Sequence, residues 1–577
     1  MKRKYILSFV FAAALVSFNA AAQNLDPTVE ISRAYEGKIM EAKKPVREVN
    51  VPDSVGTFRL DFDYSVFDSP YRGAYEFNPY FMSMQPAGAS YEPKNFYLKV
   101  GAGYRLYPEL DLIWSPSLKK GVSLDVYASH QSYIGDYRTI GLDGEPGAAR
   151  MLTQVGNETW NGYDMVSKAG VNGRYAWKAG NFGFNVNYFG QAGKTMLRSR
   201  CYDAVDASLS LSSNKNSAFL YAAELKYRFA EDKLQGDRGT GYLQENLASL
   251  NGHFGYVFNS GDRLMFDYGA QMAAYRSGRY GTAGKFNITP HYVMRRGRFA
   301  LDAGVKVDVV IPSQDNGLDN LYSAENQQYV YPDINVSYNI IKDALNAYID
   351  IAGGTRMNTY AELLSRNHYY DYTNGPGCFD ASIDRLHAQV GFQGRVGKKF
   401  SYNARAGYII SAADIFPTVL MAGDLLIADM KYTQFNRGYV SLDWRWDTES
   451  FKFDGTVSYT KAWNFGKIEN VENLIAPPAF AGNAAFEYNW KRRIFVGVDC
   501  EFSTQRKMAA IPEVHKEIAS KITVPGWADL GVSAEYALNR KLSFWLRGGN
   551  LCCMTIQRTP LYAEGGINFT AGICLNL

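Results

Sequence analysis

Cysteine, histidine and net charge are all scarce in this chain. Of its 577 residues, six are cysteine and six histidine, and the formal net charge is +4. Cys201, Cys378, Cys500, Cys552, Cys553 and Cys574 form no CxxC pair and no Cys/His spacing suited to zinc. A charge so near balance gives no argument for nucleic acid or a polybasic surface. Hydrolase, metalloprotease and nucleotide signatures are missing too: there is no G-x-S-x-G elbow, H-E-x-x-H, P-loop or calcium loop. Past residue 22 no stretch approaches the 18 consecutive apolar residues of a membrane helix. That leaves a β-barrel open, because a barrel strand shows lipid only its alternate side chains. The mean hydropathy of −0.26 fits such averaging, and an aromatic content of 15%, with 42 Tyr, suits interfacial girdles.

What the chain does have is alternation. Ile567, Phe569, Ala571, Ile573, Leu575 and Leu577 alternate with the small or polar Asn568, Thr570, Gly572, Cys574 and Asn576. Successive strand side chains point to opposite faces, so this is a strand with one oily face and one wet face. The pattern recurs from about residue 95. Phe96, Leu98 and Val100 alternate with Tyr97, Lys99 and Gly101. Leu225, Tyr227 and Phe229 are interleaved with Glu224, Lys226 and Arg228, and Val305, Val307 and Val309 with Lys306 and Asp308. Short polar turns separate many strands, at residues 178–180, 259–262, 296–297, 397–399 and 539–541. Longer polar stretches at 135–159, 231–242, 312–327, 356–385 and 508–524 alternate with them and are expected to be extracellular loops. The fold class is therefore all-β: a large closed antiparallel transmembrane barrel over residues 95–577. At roughly 22 residues per strand and connection it has about 22 strands, and 18 or 20 fit the same length.

The amino end is organised differently. Lys2, Arg3 and Lys4 precede an apolar run over residues 5–18 and the small residues Ala20, Ala21 and Ala22, which is the pattern of a signal peptide cleaved before Gln23. Residues 23–94 are charged and irregular, then rich in aromatics and proline. They form an N-terminal arm that either packs on the periplasmic rim or enters the lumen as a partial plug.

The segment from Trp527 through Tyr536 to Leu551, with the close Gly565-Gly566-Ile567-Asn568-Phe569-Thr570-Ala571-Gly572, resembles the last strands of TonB-dependent receptor barrels. The resemblance is specific over about fifty residues and architectural elsewhere. It implies an outer-membrane receptor or transporter, with lipid around it and a periplasmic energy-coupling or envelope partner engaged through residues 23–94. The chain departs from that family in front of the barrel, where about 70 residues replace a plug domain of well over a hundred. The expectation is a barrel of this type without its plug.

The predicted lumen face carries Lys99, Arg105, Asp125, Glu224, Lys226, Arg228, Asp302, Lys306 and Asp308. Both signs are present, which suits a paired interior or a path for a hydrophilic substrate and implies no simple ion selectivity. No catalytic residue, cofactor or metal is implied. The enzyme alternative rests on His130, flanked by Ser129 and Ser132, since imidazole can activate a serine. A third reading is a structural component that scaffolds an outer-membrane complex. All three place the protein in the outer membrane of a Gram-negative cell.

Overall fold

The computed structural model describes residues 95–577 except 105, 145–149, 215–216, 237–238, 277–280, 312–327, 343, 368, 374–380, 398, 465–466, 469–470, 473, 515–518 and 565. The expected signal peptide (1–22) and arm (23–94), with the missing plug, lie outside the described residues.

Twenty-two of the described strands follow one another around a closed antiparallel barrel. Closure is made by Phe96–Tyr104, which pairs with Glu109–Trp114 on one side and with Asn568–Asn576 on the other. Leu98 lies opposite Leu575 and Ala102 opposite Ala571 in that seam. A bilayer offers backbone groups no partners, so a spanning sheet must leave no open edge. The alternating carboxyl end is the strand that makes this possible. At the seam Gly101 and Gly572 face the indole of Trp545, and a Cβ on Gly101 would come within 2.3 Å of that ring.

Alternation sorts the two faces. Leu225, Val305, Val390 and Leu546 are 48 to 52% exposed on the outside of the barrel. Such a continuous apolar belt is stable only against lipid. The lumen side of the same strands carries Lys226, Lys306, Gln389 and Arg547. Trp114, Tyr175, Trp446 and Trp490 are exposed at the short-turn end, the periplasmic end in barrels of this class. At the other margin, outward tyrosines turn to polar partners: Tyr188 to Asp203 at 2.6 Å and Tyr227 to Asn246 at 2.8 Å.

The expected short turns all fall at one end, but two of the expected loops are largely strand. Val122–Asp143 and Arg150–Trp177 run 22 and 28 residues and absorb most of residues 135–159. Phe219–Gly236 and Gly241–Val257 likewise take most of 231–242. About ten residues suffice to cross the bilayer core. Above it both faces meet water or protein, so hydrophobic alternation lapses while the ladder continues to satisfy the backbone. Residues 312–327 lie outside the described residues. The stretch 356–385 holds the helix Tyr360–Arg366, and 508–524 is mostly a hairpin of Arg506–Pro512 with Ser520–Val524.

Placing a cation on the lipid face should cost far more than removing one from the lumen. Leu225→Arg is expected to destabilise the barrel by about 2–4 kcal/mol. Lys226→Ala, which loses a partly exposed pair with Glu224 at 3.4 Å, should cost less than about 1 kcal/mol. Urea unfolding in lipid vesicles followed by tryptophan fluorescence checks the contrast.

Candidate functional site

The outer half of the lumen is where the chain departs from a plain tube. The helix Tyr360–Arg366 has seven residues, too few to be stable alone. Its first turn is capped by Thr359, whose side chain accepts the Glu362 N–H. Its remaining support is tertiary, and it comes from two separate arcs of the wall.

At the amino end of the helix the Glu245 carboxylate accepts the N–H of Tyr360 at 2.9 Å, a charge well placed against the helix dipole. The Tyr360 hydroxyl donates to Asp232, which is fully buried and pairs with Arg200 at 3.1 Å. Arg200 also donates to the Tyr370 carbonyl, and Arg198 pairs with Asp371 at 3.2 Å. These wall residues sit on Arg198–Ser213, Phe219–Gly236 and Gly241–Val257, the sixth to eighth barrel strands. At the carboxyl end Arg366 donates to the Ile415 carbonyl at 3.0 Å and approaches Asp414 at 3.6 Å. Asp414 is a hub: Arg356 and Arg437 also reach it, at 3.3 and 3.6 Å, and Ser382 donates to it at 2.9 Å. It belongs to Phe400–Ala422, the fifteenth strand. Between the two sets of polar contacts Leu363, Leu364 and Tyr372 pack with Tyr202, Leu234, Leu243, Ile415 and Met430 in one buried cluster. The loop is thus clamped across the lumen.

Two more segments complete the lid. The hairpin Arg506–Pro512/Ser520–Val524 pairs in parallel with Val419–Met421 through one strand and with Arg150–Met151 through the other. Those partners lie on the fifteenth and fourth strands, eleven apart in a circle of twenty-two. Leu152, Val419, Ala510, Ile522 and Val524 are almost fully buried beneath this crossing. Residues 550–562 fold in beside it: Gln557 donates to the Leu152 carbonyl at 2.8 Å, and Arg558 pairs with Glu501 and Asp529 at 3.0 and 2.5 Å. Tyr562 stacks on Tyr369 with ring centroids 3.6 Å apart, tying this loop to the first. Where they meet, Arg198, Asp371, Tyr369 and Tyr562 border about 40 Å³ of open space, room for a few waters but not for a cargo.

The lumen candidates from the sequence are spread around the wall and most have partners in it. Lys99 pairs with Glu109 and lies 4.3 Å from the Trp545 ring. Asp125 is half-buried opposite Asn172. Glu224 and Lys226 pair with each other, and Arg228 pairs with Asp206 at 2.5 Å. Asp302 meets His291 at 2.7 Å. Lys306 ends against Gly354, where a Cβ would come 2.9 Å from its Nζ. Asp308, fully buried, accepts the Thr355 N–H at 2.8 Å. Arg105 lies outside the described residues. His130 does not engage Ser129 or Ser132. Its Nδ1 lies 2.8 Å from Ser167 Oγ, directly across the neighbouring strand, because even positions of Val122–Asp143 share the outward face with Ser167. Reasoning along one strand missed Asp232, Glu245, Glu362 and Asp414. Asp232 and Glu245 stand at lumen parity and Glu362 lies in a long polar loop, but Asp414 stands at the outward parity of Tyr408 and is turned inward by the register shift after Ser411, which no sequence pattern marks.

Two outcomes follow from the clamp. Burial pushes the Glu362 carboxyl up to about 7; Arg356 opposes this, Asp414 and Glu245 add to it, and Lys285 opposes it. A carboxyl with a raised folded pKa favours the docked state most below its unfolded value near 4.5 and loses that contribution as pH rises to about 7. Amide hydrogen exchange at Leu363 and Leu364 should therefore be slower at pH 5 than at pH 8 after correction for intrinsic rates, and Glu362→Gln should flatten the difference. Asp414→Ala removes the anion shared by Arg356, Arg366 and Arg437 and should weaken loop docking by about 3–5 kcal/mol. It is read in the same exchange experiment, with barrel-strand amides as the unchanged reference.

No family model matches the sequence, and no curated protein matches it. Solved structures do match in fold. The siderophore receptor PiuA from Acinetobacter baumannii superposes with a TM-score of 0.60 at 9% identity, covering 84% of this chain and 82% of that one. The copper transporter OprC gives 0.60 at 11% identity, over 84% and 80%. The FrpB iron transporter from Neisseria meningitidis gives 0.59 at 9%, over 84% and 81%. At such identities the likeness establishes architecture alone: this chain has the 22-stranded fold of outer-membrane receptor and transporter barrels.

Proposed function

We propose that the protein is an outer-membrane receptor or transporter of the TonB-dependent type, taking a hydrophilic substrate, with its outer gate built from its own loops. The observation that carries this is the clamp across the lumen. A loop meant only to fill space would be served best by apolar packing, since buried ion pairs add little net stability over well-packed hydrophobic residues. Here the helix Tyr360–Arg366 ends on charged groups at both walls, beside an apolar cluster. Charged groups compete with water and with a polar ligand, so such a latch can be released. The fold shared with receptors and transporters supports the same reading, and none of those neighbours is named as an enzyme.

In this reading Glu224, Lys226, Arg228, Asp302, Lys306, Asp308, Lys99 and Asp125 line the polar path beneath the gate. Residues 23–94 are the element through which a periplasmic partner acts, and residues 1–22 direct export to the outer membrane. The hydrolase reading built on His130 with Ser129 or Ser132 loses its expected pairing, since the Nδ1 of His130 meets Ser167 instead.

Conductance in planar bilayers tests the proposal. The full chain and a chain lacking 23–94 are both expected to be closed, because the outer loops already obstruct the lumen. Replacing 358–373 by a short Gly/Ser linker in the truncated chain should open a pore. If that chain stays closed while a stable partner copurifies in fixed ratio with the full one, the scaffold reading replaces transport.

A further inference from the structure

We infer that the short-turn rim of the barrel is a circumferential binding surface for anionic phospholipid headgroups, a role that stands independently of transport. The near-neutral net charge hides a strong segregation. Among the described residues of the ten turns at this end, eleven are Lys or Arg and all eleven are exposed. Two acids face them, Asp262 and Glu449, and Asp262 is buried against Arg296 at 2.6 Å. The described loops at the opposite end carry both signs, as in Glu362 with Arg366 and Asp371, or Glu513 with Lys507 and Lys521.

The cations stand in several turns around the barrel but are not evenly spaced. Lys119 and Lys120 stand between the second and third strands, Arg298 between the tenth and eleventh, and Arg492, Arg493 and Lys541 near the end of the circle. Seven of the eleven lie on the arc that runs through the seam, from the turn 491–493 to the turn 115–121, and the other four stand singly over the rest of the circle, so it is their common height at the rim that matches a lipid surface. These cations lie immediately beyond the exposed aromatics of the same end, Trp114, Tyr175, Trp446 and Trp490, and Lys491 rests 5.1 Å over the ring of Trp490. Aromatic rings settle at the headgroup level. A cation one or two residues farther out is placed where phosphates lie, with its aliphatic stem against the rings. Each Lys or Arg near an anionic surface strengthens binding about fivefold at moderate salt.

Native mass spectrometry of the full-length protein, released from mixed micelles with phosphatidylglycerol or phosphatidylethanolamine, tests this. The wild-type chain should retain phosphatidylglycerol in preference, and the preference should vanish in about 1 M salt, where the Debye length is about 3 Å. A variant carrying Lys119→Gln, Lys120→Gln, Arg492→Gln, Arg493→Gln and Lys541→Gln should lose at least about fivefold of it. A companion that exchanges Lys for Arg and Arg for Lys at those positions should keep it. Heat-modifiable migration on gels shows that each variant is folded. Equal retention of both lipids by the wild type, or an unchanged preference in the Gln variant, overturns the inference. So does zero-length carbodiimide crosslinking of these turns to the chain's own acids at residues 61–76 in native membranes.

Discussion

Everything in this structure depends on the pairing of Phe96–Tyr104 with Asn568–Asn576. Inside hydrocarbon each unpaired backbone group costs several kcal/mol, so a spanning sheet is stable only when its first and last strands meet. Closing twenty-two strands in this way has a geometric consequence. The circle is too wide for wall side chains to meet across it, and a lumen of that width passes solutes unless something else occupies it. The outer loops supply that occupant.

How they do so separates holding from sealing. The hairpin Arg506–Pro512/Ser520–Val524 crosses the mouth by strand pairing and buries Leu152, Ile522 and Val524, an apolar contact with no reason to open. The helix Tyr360–Arg366 is different. Its ends rest on Glu245, Asp232 and Asp414, and one of its own carboxyls, Glu362, is held near the midpoint of its titration at neutral pH. Protonation, salt or a polar ligand shifts these contacts by more than it shifts the hairpin. The clamp is therefore the element to move first, with the hairpin and the seam as its frame. The fold shared with siderophore receptors and copper and iron transporters is a likeness of architecture.

The wall was legible in the sequence because lipid enforces a parity. Leu225 outward with Lys226 inward, and Ile573 outward with Cys574 inward, can be read from alternation alone, and Cys574 is buried on the lumen side. Where lipid ends, the rule ends. Asp136 and Arg138 read as loop from their charge, yet their backbone stays in the ladder opposite Asn161 and Thr159, while Glu158 falls in the register shift beside them. The clamp was hidden for another reason: Tyr360 meets Asp232 across 128 residues and Gln557 meets Leu152 across 405. No local pattern encodes a contact of that range. His130 misled because its true partner is a strand neighbour 37 residues away. The basic rim lay between the two cases. Its turns at 178–180, 397–399 and 539–541 were readable one by one, while their common sign emerged only once they were placed at the same end.

The claim at the centre of this account is that the chain's own outer loops, held by the clamp, bar the lumen from outside. The most direct measurement is labelling of Asn403→Cys, low on the lumen wall, by a bulky maleimide added to intact cells. The background chain has its six native cysteines replaced by serine. The account predicts no labelling while the clamp is intact and rapid labelling once Asp414→Ala is added. Prompt labelling with the clamp intact, or none after Asp414→Ala, would contradict it.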